Sequence, residues 1–554
     1  MRKFAIIVCF TTLSLFGAET EVDEDLIAAN PTPVRPARTC KGIVLVGKDC
    51  LLSEKELSSF DTVEFCKLIV PGSSSNLKEE LSEYISQPIT KETLAAVRQT
   101  VREYYENNYH PLVEIVIPKQ DITSGVMQVQ VVESKFANLE IVGNKHTSAK
   151  RLTTYLGVNE NDPIDVRQLK NDLSFMNRNP FRRVNLVYSP GLEPNTTDIE
   201  LLVDDRRPFR VYAGVDDTGV ETTERGRIFA GFNCANWFSL DHFLTFQYTT
   251  SYNLHSFQAS TAQYVAYLPW KHILSMYGGY SSVHSSDPFL TSNHGKSSQA
   301  SARYEAPLNS MSNYTHSIGF GFDFKQTNNT ILFSELAAVV GQTVNLSQFV
   351  ATYAGSYELD PFRLDVQGEL FFSPGAMLPD ESNSAYASLR PGAKNQWVCG
   401  YLSLSYSQTL AYSFHLLLTA RGQLSSQNLL PSEQIGLGGF DSVRGYDERQ
   451  LNYDNGVILN GEIRTPGIAI FRRKKAKFKD ALQLLGFVDY GYGNNRTLLP
   501  GEPKNDHLIG IGPGLRYTLD PWVTARFDLG VKLYEQSIFT GGSSMWYFSV
   551  VANI

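Results

Sequence analysis

From Phe209 onward the chain is written in a period of two. Ile318, Phe320, Phe322 and Phe324 alternate with Gly319, Gly321 and Asp323, and Val523, Ala525, Phe527, Leu529, Val531 and Leu533 alternate with Thr524, Arg526, Asp528, Gly530 and Lys532. Leu515, Tyr517 and Leu519, and Phe246 and Tyr248, repeat the pattern. Successive side chains of a strand point to opposite faces, so each segment carries one apolar face and one polar or glycine face. Such strands suit a sandwich with a wet outside or a barrel with a wet inside. Length and continuity favour the barrel. The alternation runs on to Trp546, Phe548, Val550, Ala552 and Ile554, a last strand suited to closing a cylinder. At about 20 residues per strand and connection, the segment makes roughly 16–18 strands, too many for one sandwich.

The start of the chain says where such a barrel would work. Arg2 and Lys3 precede an apolar run from Phe4 to Phe10, and small residues follow at Gly17 and Ala18. Charge, apolar core and small residues in that order predict a signal peptide over residues 1–18. After it, no apolar stretch approaches the ~20 residues that a transmembrane helix needs. A closed barrel is the other way to satisfy every backbone polar group in lipid. The expected fold is therefore a transmembrane antiparallel β-barrel of about 16 strands over residues 207–554.

Helical spacing is confined to the part before the barrel. Residues 19–40 are acidic and then proline-rich (Pro31, Pro33, Pro36), which reads as a flexible leader. Residues 41–134 read as a small α+β unit in the order β-α-α-β-β. Strands are expected at 42–46, 113–117 and 126–132, and helices at 77–85 and 93–105, the second with Leu94, Val97, Val101 and Tyr104 on one face. Residues 135–206 repeat that order, with Ser148 as a helix N-cap candidate and Leu169, Leu173 and Met176 on the face of the next helix.

The net charge of −8 lacks the basic footprint of a nucleic-acid binder. No Ser/His or Cys/His motif, phosphate loop or zinc spacing is present, so neither enzyme nor cofactor nor metal is expected. Of six cysteines, Cys9 lies in the signal, Cys40, Cys50 and Cys66 cluster near the expected mature N-terminus, and Cys234 and Cys399 stand apart. Export to an oxidising compartment allows one disulfide among Cys40, Cys50 and Cys66, of open pairing, with unpaired thiols as the alternative.

Several ordered motifs extend this reading. Pro118-Lys119-Gln120-Asp121 with Gly125 stands before the last strand of the first unit. Pro190-Gly191, the run Asp198 to Val203 and Pro208-Phe209-Arg210 lead into the barrel. Leu437-Gly438-Gly439-Phe440, Val443-Arg444-Gly445-Tyr446, Glu462-Ile463-Arg464-Thr465-Pro466 and Phe487-Val488-Asp489-Tyr490-Gly491 follow in order. Together they resemble the two-partner secretion transporters (TpsB type), the haemolysin secretion/activation family, in which two POTRA domains precede a barrel. The resemblance covers roughly residues 75–554. It departs at Ile554, where an aromatic residue is usual, at Asn108-Tyr109, where a Gly-Tyr pair is usual, and in a leader without an evident plug helix.

The resemblance implies an outer-membrane transporter of Gram-negative type with its POTRA domains in the periplasm. Such a protein captures an unfolded exported polypeptide, a large adhesin or cytolysin, and secretes it through the barrel without ATP. An assembly factor that inserts other barrels is the alternative. The resemblance also implies that a loop bearing Val443, Arg444, Gly445 and Tyr446 folds into the lumen and meets Phe487, Asp489 and Gly491 on the wall. An arginine suits that place because its planar fork binds a carboxylate through two bonds. Arg516, Arg526 and Lys532 fall on the polar face. Val113, Ile115 and Ile117 mark a strand to which an extended client could add.

Overall fold

The computed structural model describes residues 38–553 except 49, 221–222, 239, 285–293, 312, 330–339, 472–478, 499–503 and 535–542. The expected signal and nearly all of the leader lie outside the described residues, as does Ile554.

Two compact units partition the chain, one of residues up to 108 plus 113–132, the other of residues 109–112 plus 133 onward. The first holds β1 (Gly42–Val46), α1 (Glu54–Leu57), β2 (Val63–Cys66), α2 (Ser74–Ser82), α3 (Lys91–Asn107), β3 (Val113–Val116) and β4 (Val126–Glu133). Its sheet runs β2-β1-β4-β3, with β1 parallel to both neighbours. The run Gly-Ile-Val-Leu-Val of β1 is apolar throughout because both its faces are covered. Ile43 and Leu45 pack with Leu77, Leu81, Val97, Val101 and Tyr105 of the helices, while Val44 and Val46 pack with Leu57 and Val126. At the start of α3 the Thr90 hydroxyl accepts from the Thr93 N–H, and at its end the Asn108 amide donates to the Tyr104 carbonyl. The sequence reading missed α1 and β2. Four residues apiece carry too little periodicity to announce an element.

The second unit opens with β5 (Lys135–Val142), α4 (Ala149–Tyr155), α5 (Val166–Met176), β6 (Arg182–Pro190) and β7 (Thr196–Asp205). Its sheet runs β5-β7-β6, with β5 parallel and β6 antiparallel to β7. Ser148 does cap α4 and accepts from the Arg151 N–H, and Asp165 caps α5. The core of this unit does not end at its own helices. Tyr155, Phe175 and Met176 bury together with Tyr267 and Ile273 of the barrel.

Among the described residues, sixteen antiparallel strands close the barrel. The strand Ser544–Asn553 completes the ring by pairing with Phe209–Asp216, for example Val550 opposite Val215. The period of two survives as an inside and an outside: Phe320 is 64% exposed on the outer face, whereas Asp323 is 2% exposed within. At the end near β5–β7 the strands join by short turns such as 268–272. From the opposite end the connection between Ser425 and Asn455 folds back into the lumen. It carries a two-strand hairpin of its own, Ile435–Leu437 against Leu451–Tyr453.

All described cysteines are free thiols, so none of the three front cysteines is joined in this structure. Cys40 is buried in the core of the first unit, where its thiol donates to the Gly42 carbonyl.

Candidate functional site: the loop inside the barrel

The loop enters the lumen on an apolar surface and is fixed there by charge. Ile435, Leu437, Val443, Tyr446 and Tyr453 cluster with Ile458 and Leu508 of the wall. Gly438 and Gly439 take φ of +102° and +107° and turn the chain between hairpin and tip. At the tip, Gly445 has φ +106° and its Cα lies against the wall backbone at Gly530–Lys532. The approach is close on both sides. A Cβ at wall residue Gly530 would fall on the Gly445 amide, and one at Gly510 on the Arg444 carbonyl. Gly491 leaves room for Val443, whose Cγ2 would stand 2.8 Å from a Cβ there.

Arg444 is the centre of this contact. Its side chain is 3% exposed and that of Asp489 is fully buried. Nε donates to Asp489 Oδ2 at 2.7 Å and Nη2 to Oδ1 at 2.9 Å, the two-bond fork that a guanidinium makes with a carboxylate. The loop's own Arg444 N–H adds a bond to Oδ2 at 3.1 Å, and the Asn460 amide one to Oδ1 at 2.9 Å. The guanidinium lies 3.5 Å above the Phe487 ring. Nη1 reaches Glu462 at 2.6 Å and Asp528 at 3.4 Å.

Around it stands a lattice of alternating charge. Arg516 forks onto Asp528 at 2.6 and 3.0 Å and reaches Glu462 at 3.4 Å. Arg526 bonds Asp528 at 3.0 Å and, on the loop, Asp441 at 2.7 Å and the Phe440 carbonyl at 2.7 Å. Arg464 closes the row onto Glu462. Tyr547 pins the tip: its hydroxyl accepts from the Gly445 N–H at 2.9 Å and donates to the Tyr446 carbonyl at 2.5 Å. The Tyr446 hydroxyl donates in turn to the Tyr534 carbonyl at 2.6 Å.

The loop also reaches across the lumen. Glu433 accepts from Lys325 at 2.8 and 2.9 Å, both side chains being largely buried. Lys325 belongs to the strand Tyr314–Asn329 and Asp489 to Lys479–Asn494, six places apart in the ring of sixteen. Asp447 pairs with Arg225 of the outer connection after Asp216. The loop is thus held from several sides, and a cavity of about 210 Å³ remains beside Glu433 and Gln434. At the other end, a cavity of about 430 Å³ lies between α5 and the barrel, lined among others by Phe175, Arg178, Glu305 and Ser310.

Of the residues singled out by sequence, the structure brings Val443, Arg444, Gly445 and Tyr446 together with Phe487, Asp489 and Gly491. Val113, Ile115 and Ile117 lie in the other unit. There, β3 is the outer strand of its sheet, and these three side chains turn into the core. Only the backbone edge and the outward Glu114 and Val116 face away. Sequence reasoning missed Glu462, Asp528, Lys325, Glu433 and Tyr547 as partners. Glu462 stood in a quoted motif and Asp528 on the polar face, but convergence across strands leaves no mark in a linear pattern.

A closed outer-membrane-type barrel, with a charged loop clamped inside it and small α+β units before it, defines a protein-transporting barrel. The model of the family described as "Haemolysin secretion/activation protein ShlB/FhaC/HecB" matches residues 195–517, and a POTRA model, "Surface antigen variable number repeat", matches residues 134–206. The chain belongs to the haemolysin secretion/activation family, the two-partner secretion transporters of the outer membrane, whose POTRA domains lie in the periplasm. It is similar to the heme/hemopexin transporter protein HuxB of Haemophilus influenzae strain 86-028NP, with 22% identity over 479 residues, 80% of this chain and 78% of that protein. It is also similar to the outer membrane transporter CdiB of Dickeya dadantii, with 22% identity over 410 residues, 69% of this chain and 67% of that one. The solved structure of CdiB from Escherichia coli shares the fold at a TM-score of 0.78 and 16% identity, over 95% of this chain and 93% of that one.

Proposed function

We propose that this transporter captures an unfolded exported polypeptide in the periplasm, through the backbone edge of a POTRA sheet, and secretes it through the barrel without ATP. The observation that carries the reading is the disposition of β3. Among the described residues it is the outermost strand of its sheet and pairs with no strand beyond it, and its Val113 and Ile115 are already spent on the core. Strand addition satisfies backbone groups without demanding one sequence, which suits a client that must stay unfolded.

The lumen then has to be cleared. The loop is held there by hydrogen bonds and ion pairs, which break and re-form without covalent chemistry. Arg444 and Asp489 set the resting position. The arginines and carboxylates that the displaced loop leaves behind line a polar passage for an extended chain. Folding of the client outside draws the process forward, so no nucleotide site is required. The client is one large secreted partner of adhesin or cytolysin type. The domain limits that go with this reading are a signal over 1–18, a leader over 19–40, POTRA domains over 41–134 and 135–206, and the barrel over 207–554.

A photo-crosslinker at Val116, which points outward from β3, tests the capture step. It is expected to trap the client during secretion, while one at Arg98 on the exposed side of α3 traps none. Capture at Arg98 with none at Val116 contradicts the edge.

A further inference from the structure

The described cysteines sort by environment. Cys40 is buried under the helices of the first unit. Cys234 shares the outer, lipid-side face of its strand with Ile228 and Phe232, and its strand partner Phe209 is 49% exposed. Cys399 points inward and is buried with Trp397, Tyr386 and Leu389. Cys50 and Cys66 are different. Both are partly exposed, and both pack on the same small cluster of Val44, Val46, Leu57 and Val126, on the face of β1 away from α2 and α3.

The backbone brings these two together. Cys66 ends β2 opposite Val46, and its carbonyl accepts from the Gly47 N–H at 3.3 Å. The chain then turns back, and the Cys50 N–H donates to the Gly47 carbonyl at 3.2 Å. Gly47 is thus bonded to both cysteines from its two sides. Burial, and after it the neighbouring Cys50, push the Cys66 thiol up.

We propose that Cys50 and Cys66 form a disulfide in the exported protein. The oxidant is a disulfide-bearing exchange partner of the periplasm. One cysteine thiolate attacks that disulfide, forms a mixed disulfide and releases one thiolate of the oxidant. The second cysteine, deprotonated, then attacks the mixed disulfide and releases the other. Two protons and two electrons leave the pair, and the oxidant becomes a dithiol. The bond closes the segment that carries α1 and β2. It fixes the short outer strand β2, which is held by one neighbour, at its end. It leaves β3 as the edge of that sheet without a covalent anchor.

The test is differential alkylation of the full-length protein isolated from outer membranes, denatured in the presence of a mass-tagged maleimide, with and without prior reduction. The expected result is that Cys50 and Cys66 are blocked before reduction and labelled after it, while Cys40, Cys234 and Cys399 label in both. A peptide pair joined through Cys50 and Cys66, two hydrogens lighter than the reduced peptides, identifies the bond. Cys50→Ser frees Cys66 for labelling, and reduction speeds proteolysis between residues 51 and 65 by about tenfold or more. Labelling of both cysteines without reduction, or a joined peptide containing Cys40, overturns the proposal.

Discussion

Replacing Arg444 by alanine removes the guanidinium on which four acceptor contacts converge: 2.7 and 2.9 Å to Asp489, 2.6 Å to Glu462 and 3.4 Å to Asp528. It also uncovers the face of Phe487. Asp489 keeps the Asn460 amide and the backbone N–H of residue 444, but loses its fork while fully buried. Removing one member of a buried pair costs about 3–5 kcal/mol, because the other charge stays desolvated and unpaired. The docked loop is then less populated by a factor of about one hundred to a few thousand. The barrel wall loses no ladder hydrogen bond, so insertion and heat-modifiable migration are unchanged. Hydrogen exchange followed by mass spectrometry reads the opening free energy of the loop directly. Amides over 438–453 are expected to lose protection by that factor, while the wall strands Asn455–Arg464 and Lys479–Asn494 keep theirs, and export of the client stops. Protection within threefold of the natural protein, or normal export, refutes the reasoning.

Three other perturbations bear on the same architecture. Gly530→Val, which puts side-chain carbon on the Gly445 amide, is expected to undock the tip with Arg444 intact, seen as the same loss of exchange protection. Lys325→Ala releases the cross-lumen contact to Glu433 and raises the resting conductance of the barrel in planar bilayers. The swap of Lys325→Glu with Glu433→Lys restores the low value. Arg182 and Asp241 join β6 to a barrel turn, each with a side chain 2% exposed, and Arg182 also donates to the Met176 carbonyl. Arg182→Ala costs about 3–5 kcal/mol and makes residues 149–176 protease-sensitive while the barrel remains heat-modifiable.

The barrel was legible because lipid and lumen impose opposite demands on alternate residues, and Phe320 beside Gly319 and Gly321 records that directly. The helices α3 and α5 were legible from their buried stripes, and the start of α4 from its Ser148 cap. The interior of the barrel was legible only in part. Arg444 and Asp489 stood in recognisable motifs, yet Asp528, which takes bonds from Arg444, Arg516 and Arg526, reads in the sequence as one more polar residue of an alternating strand. The contact of Lys325 with Glu433 joins residues 108 positions apart through a loop whose path only the fold determines. Val113, Ile115 and Ile117 illustrate the reverse. Their apolarity marked a strand correctly, but it serves the core, and the outward side chains of that strand are Glu114 and Val116. The core shared by Phe175 and Tyr267 was invisible for the same reason as the lumen contacts, since it joins two elements whose separate patterns are each complete.

The most direct test of the central claim compares two protein inventories, culture medium and outer membrane, from cells with and without the gene. Loss of one large protein from the medium, with the other outer-membrane barrels at normal levels, is the result this account predicts, and it names the client. Broad loss of barrels from the outer membrane contradicts it and assigns the protein to barrel assembly.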